Sequence, residues 1–187
     1  TTHSATSVKL LETLLKLDGI NATLERSDGV GLEELLTLYP AVLLIGDAAL
    51  SEWYRVCGPI SETTQMFRLP NEGHLAHGEA VTVTDLAMSW YEHTGLPFVF
   101  AVWATPADHA PPLELVLGMR RARRTGIGHL AQIAARDAAR LNLPERIVQH
   151  YLWNFRYHLE PPDRAGLKLF AQLVLPDKAE QLTFWDV

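Results

Sequence analysis

Apolar residues recur along the chain at two spacings, and the switches between them mark out the elements. Val8, Leu11 and Leu15 share one helical face, with Leu10, Leu14 and Leu17 beside them, and Gly19 follows as a C-terminal stop. Ser4, Thr6 and Ser7 stand where this helix begins, a place that favours side-chain oxygens able to accept from free N–H groups. Ile20, Ala22 and Leu24 then alternate as in a strand. A short helix is predicted from Leu32 to Leu38, ending at Pro40. The continuous apolar run Ala41–Ile45 reads as a buried parallel strand, and Gly46-Asp47 opens another helix through Tyr54. This order predicts an α/β layer with a parallel sheet.

Residues 58–80 carry Pro, Gly and polar groups and read as a long connection. Val81–Thr84 is short and extended, and Asp85–His93 is helical, with Thr84 as its cap and Gly95 as its stop. Phe98–Ala104 is the best strand of the second half. From Pro111 onward only helices are predicted, about 112–124, 126–141, 144–155 and 162–174, with Pro144 in a first-turn position. Two strands do not make a stable sheet alone. This half is therefore expected to complete a sheet whose other strands precede Thr1. Thr1-Thr2-His3 lacks an initiator Met, which agrees with residues upstream. The simplest architecture has two lobes, with the chain crossing between them near residues 80–84 and 104–108: residues 1–80 as a second lobe, and 81–187 as the remainder of a first lobe whose N-terminal part is missing.

At 187 residues and 48% apolar composition the chain can build a real core, and with 20% charged residues it does not read as disordered. A net charge of −6 disfavours nucleic acid as the main partner, since phosphate binding needs a basic surface. Cys57 is the only cysteine, so no internal disulfide forms, which fits a cytoplasmic protein. Apolar runs are too short to span a bilayer, and no membrane partner is expected.

The candidate chemistry follows from these elements. Ser4-Ala5-Thr6-Ser7 places hydroxyls and free N–H groups at the positive end of a helix dipole, a seat for a carboxylate or phosphate. A plain N-cap is the alternative reading. Gly46-Asp47 lies at the C-terminal end of a predicted strand, where open α/β sheets place ligands, although Asp47 could equally cap its own helix. His74 and His77 lack further ligands for a metal, and no metal is expected. The Gly126–Ala131 stretch fits a dinucleotide pattern but follows an Arg-rich helix rather than a strand, so it is rejected. Arg120, Arg121, Arg123 and Arg124 read as a solvated helix C-terminus, and Tyr151, Trp153, Phe155 and Tyr157 as packing.

Three segments carry the reading further: Ser4-Ala5-Thr6-Ser7-Val8, Leu44–Leu50 and Asp85–Ala104. With the later stretches Tyr151–Tyr157 and Asp163–Leu167, they resemble the chorismate dehydratases of the futalosine route to menaquinone. The resemblance implies a type-2 periplasmic-binding-protein fold, in line with the two lobes. It implies elimination of water from chorismate, a dicarboxylate, to give 3-[(1-carboxyvinyl)oxy]benzoate, with no metal or organic cofactor. Carried over by position, it makes Ser4 the catalytic candidate, Thr6 and Ser7 carboxylate holders, and Gly46 and Asp47 weaker binding candidates. A homodimer is compatible with it. That family commonly has Arg where Ala5 stands, and its first-lobe segment, with an active-site Asn, is not in this sequence. Two alternatives stay open: the sister enzyme acting on cyclic dehypoxanthinyl futalosine, which carries a His where Gly46 or Asp47 stands here, and a non-catalytic solute-binding protein.

Overall fold

In the computed structural model the described residues are 4–27, 31–58, 70–106 and 108–184. They form a helix-rich α/β chain that divides into two compact units, Thr1–Ser89 and Trp90–Val187.

The first unit holds helices α1 (Ala5–Leu17), α2 (Leu32–Leu38) and α3 (Asp47–Cys57), then strands β1 (Glu72–His74) and β2 (Ala80–Thr82). Helix α1 buries Leu10 and Leu14, and ends where Gly19 takes a positive φ of 70°. Leu35, Leu50, Val56 and Leu75 are the other buried apolar side chains among the described residues of this unit. The hairpin β1–β2 is antiparallel, with Gly73 opposite Val81, and it packs on α3. Gly73 is what lets it approach: a Cβ there would overlap the backbone carbonyl of Val56. Trp53 Nε1 donates to the Pro70 carbonyl (2.9 Å), tying α3 to the chain entering β1. The Glu33 carboxylate accepts from Arg55 Nη1 (2.7 Å) and from the Ala76 amide (2.9 Å), so α2, α3 and the hairpin turn meet on one anion. Those two donors lower its pKa below the ordinary carboxylate value.

The second unit begins inside α4 (Leu86–Thr94) and continues with α5 (Leu113–Gly128), α6 (Leu130–Leu141), α7 (Glu145–Trp153), α8 (Pro161–Val174) and α9 (Pro176–Ala179). Trp90 is fully buried and meets Phe98 and Phe170 edge-on, at centroid distances of 5.6 and 5.8 Å. Helices α6 and α7 pack through the small residues Ala134 and Ala138 and the branched Ile147 and Val148, all buried. Asn142, left-handed at φ 54° and ψ 44°, makes the turn between them. Gly166 of α8 is buried against the Leu96–Pro97 segment, and a Cβ there would overlap the Pro97 carbonyl oxygen.

Several expectations need correction. Among the described residues the one sheet is the β1–β2 hairpin. The expected strands Ile20–Leu24, Ala41–Ile45 and Phe98–Ala104 are not paired into it, so the parallel sheet is not formed. A strand exists only through its neighbours' hydrogen bonds, and among the described residues these segments have none to join; Trp103 stands 89% exposed. Asp85, rather than Thr84, caps α4, its Oδ1 accepting from the Met88 amide at 2.9 Å. Helix α5 runs through Gly126 to Gly128, which leaves the four arginines in mid-helix rather than at a C-terminus. Pro144 precedes the first helical residue of α7. Part of the expected connection 58–80, residues 59–69, lies outside the described residues, while its end forms β1.

Candidate functional site

Local sequence chemistry builds the start of α1. Ser4 is extended (φ −146°, ψ 100°), so its side chain turns back over the first turn. Its Oγ accepts from the Ser7 amide at 3.2 Å and donates to Ser7 Oγ at 3.0 Å. Ser7 is only 6% exposed and is therefore a support for Ser4 more than a surface group. Ser4 and Thr6 are half-buried and Ala5 is exposed, which leaves this end of the helix open on one side. The amides of Ala5 and Thr6, like those of any first turn, have no intrahelical acceptor. No acidic residue stands in the first turn, so no carboxylate of the helix itself neutralises its positive end. Two hydroxyls and two amides at the positive end of the dipole have the makings of an anion seat.

Gly46 and Asp47 open α3 instead. Gly46 holds φ 66° and ψ −138°, a conformation closed to side chains, and its carbonyl accepts from the Leu50 amide at 3.1 Å. Asp47 is exposed and puts a carboxylate in the first turn, which already complements that dipole. This start is therefore less suited to an external anion than that of α1. Ser4, Thr6 and Ser7 form one cluster, whereas Gly46 and Asp47 belong to a different helix end.

Other candidates fall into place as scaffold. His77 Nε2 lies 3.0 Å from Glu79 Oε2 in the exposed hairpin turn, with His74 at the end of β1. Among the described residues no group of three His, Cys, Asp or Glu side chains is placed to hold a metal ion. Burial raises the pKa of the Cys57 thiol, which disfavours the reactive thiolate. No helix of the described residues is long and apolar enough to cross a membrane.

A profile of the menaquinone biosynthesis family matches residues 1–175. The chain belongs to this family. A chorismate dehydratase from Thermus thermophilus is 49% identical over 172 residues, covering 92% of this chain. The chain spans 60% of that relative's length. In this family member, Ala5 leaves the outer face of the α1 start without a charged side chain.

A second polar centre was missed in the sequence. Asp163, 2% exposed, accepts from Arg156 Nε (2.5 Å) and Nη2 (3.0 Å) and from the Glu160 amide (2.9 Å). The Arg156 guanidinium, outweighing burial, lowers the carboxyl's pKa. Glu160 completes a reciprocal capping box with Asp163 around Pro161-Pro162. The signal was legible: an acid three residues before another, with Pro in the first turn. The aromatic stretch also departs from the packing expected of it. Tyr151 and Phe155 do meet edge-on at 4.9 Å, but Trp153 is 65% exposed.

Proposed function

We propose that the protein containing this chain is a chorismate dehydratase, a hydro-lyase acting in the cytoplasm. The 49% identity to a chorismate dehydratase across 92% of the chain carries the reading. The finer fold goes with it: a two-lobed type-2 periplasmic-binding-protein architecture, with residues 1–80 in the second lobe and 81–187 in the first.

Chorismate carries two carboxylates, and the α1 start is a fitting seat for one of them. In the elimination a ring C–H bond and the C–O bond to the ring hydroxyl break, and the ring becomes aromatic. The ring proton passes to a base, and the departing hydroxyl takes up a proton, so that one water is lost overall. Aromatisation supplies the driving force, so the protein's task is to orient the ring and assist the two departures. Ser4 is the residue assigned a direct part. Its O–H, now directed at Ser7 Oγ, can swing to the substrate while Ser7 keeps the side chain in place. Thr6 adds a hydroxyl beside it, and Gly46 and Asp47 are assigned as weaker substrate-binding residues. No metal or organic cofactor is assigned, and chelator treatment is expected to leave turnover unchanged.

The test is to mix the full-length protein with chorismate and follow the products by mass spectrometry. A product lighter by one water, with the ultraviolet spectrum of a benzoate, is the expected result. Intact chorismate beside an active control enzyme would overturn the proposal.

A further inference from the structure

The second unit contains an open groove of ≈ 500 Å³ lined by its own residues, none of them from the α1 or α3 helix starts. Its walls are Ile127, Leu130, Trp153, Phe155 and Tyr157, with Arg156, His158 and Glu160 among its polar edges. A smaller recess of ≈ 280 Å³, lined by Arg123, Arg124, Ile127 and His158, adjoins it, since Ile127 and His158 border both.

Charge separates this groove from ordinary exposed apolar surface. Arg156 is committed to Asp163, and the Glu160 side chain to the α8 backbone. Arg123 and Arg124, by contrast, meet no carboxylate among the described residues. The recess thus offers two uncompensated guanidiniums beside an aromatic wall, in a chain of net charge −6. Guanidinium forks match carboxylates, and exposed indole and phenyl faces favour a flat ring. The volumes suit a small molecule rather than a nucleic acid strand.

We infer that the groove binds a small aromatic carboxylate, with its ring on Trp153 and Phe155 and its carboxylate on Arg123 and Arg124. The inference rests on this unit alone and stands apart from the dehydratase reading. An open groove and a ligand of few atoms set the expected affinity for benzoate on the order of 1 mM.

Benzoate is the probe, titrated into the full chain while the indole N–H resonances are followed by NMR. The Trp153 resonance, assigned by its loss in Trp153→Phe, is expected to shift saturably. Arg123→Gln/Arg124→Gln, both exposed positions, should weaken binding about tenfold with the rest of the spectrum intact, and benzamide should bind at least as weakly. Ser4→Ala should leave the Trp153 titration unchanged, which separates this groove from the α1 seat. No shift at Trp153, or equal shifts with the double variant or with benzamide, would overturn the inference.

Discussion

The starts of α1 and α8 meet one physical requirement in opposite ways. Each exposes first-turn amides with no acceptor inside the helix. At α8 the chain supplies the anions itself: Glu160 and Asp163 close a capping box, and Arg156 seals the buried Asp163 carboxylate. At α1 the side-chain acceptor among the described residues is the neutral Ser4 hydroxyl, and the first turn carries no acid. The α8 start is complete without a ligand, while that of α1 has no first-turn carboxylate against the positive end of its dipole. Helix α3 is an intermediate case, with Asp47 providing a first-turn carboxylate that is exposed. The difference teaches how one requirement is met from within the chain at α8, while the first turn of α1 has no carboxylate of its own to meet it.

The strongest way to break this comparison is Asp163→Ala. It leaves the Glu160 amide and one face of Arg156 without their acceptor. We expect a loss of about 2–4 kcal/mol in urea unfolding, below the full cost of a buried pair because Arg156 is half-exposed. A loss under about 0.5 kcal/mol would show that α8 is not held by this centre. Ser4→Ala should separate the two kinds of start most clearly. Removing the cap costs about 1 kcal/mol of stability, whereas chorismate turnover by the full-length protein should fall about 100-fold. Turnover that falls only in step with the unfolded fraction would make Ser4 a plain cap.

Acidity sharpens the contrast further. Arg156 holds the Asp163 pKa below its unfolded value, so the stabilisation is fully present above the ordinary carboxylate range. It is lost as pH falls through the depressed folded value. Asp163→Asn should therefore flatten the acid limb of a melting-temperature profile, whereas Ser4→Ala should leave its slope unchanged. The smallest effect is expected from Ala5→Glu, which gives α1 the resident carboxylate it lacks. Stability should rise by about 0.3–1 kcal/mol while substrate affinity drops, measured by thermal melting and by KM.

Helices were legible in the sequence because their signals are local. Ser4 capped α1, Gly19 stopped it, and α2 matched its apolar spacing from Leu32 to Leu38. Errors arose where one local signal was given too much weight. A break is expected between 124 and 126, yet a helical glycine costs only about 1 kcal/mol, and α5 continues through Gly126 to Gly128. Strands were read poorly because pairing is not local: Phe98–Ala104 has a strand's composition but no neighbour to complete it among the described residues. Strand β1, only three residues around Gly73, carries no alternation to betray it. At the candidate site the α1 hydroxyls were visible as a pattern. That Ser7 is buried and orders Ser4, while Asp47 already complements its own helix, needed the three-dimensional arrangement.

The contact between Gly166 and the Pro97 carbonyl also bears on how this chain can vary. Every single-nucleotide missense change in a glycine codon installs a residue with a Cβ. At position 166 each of them would drive that atom into backbone, which has no rotamer by which to yield. Gly126 has open space around the same atom and an ordinary backbone conformation, so alanine there should add about 1 kcal/mol to the helix. A library of random point mutants, sorted for folded protein, should therefore be populated at codon 126 and empty at codon 166.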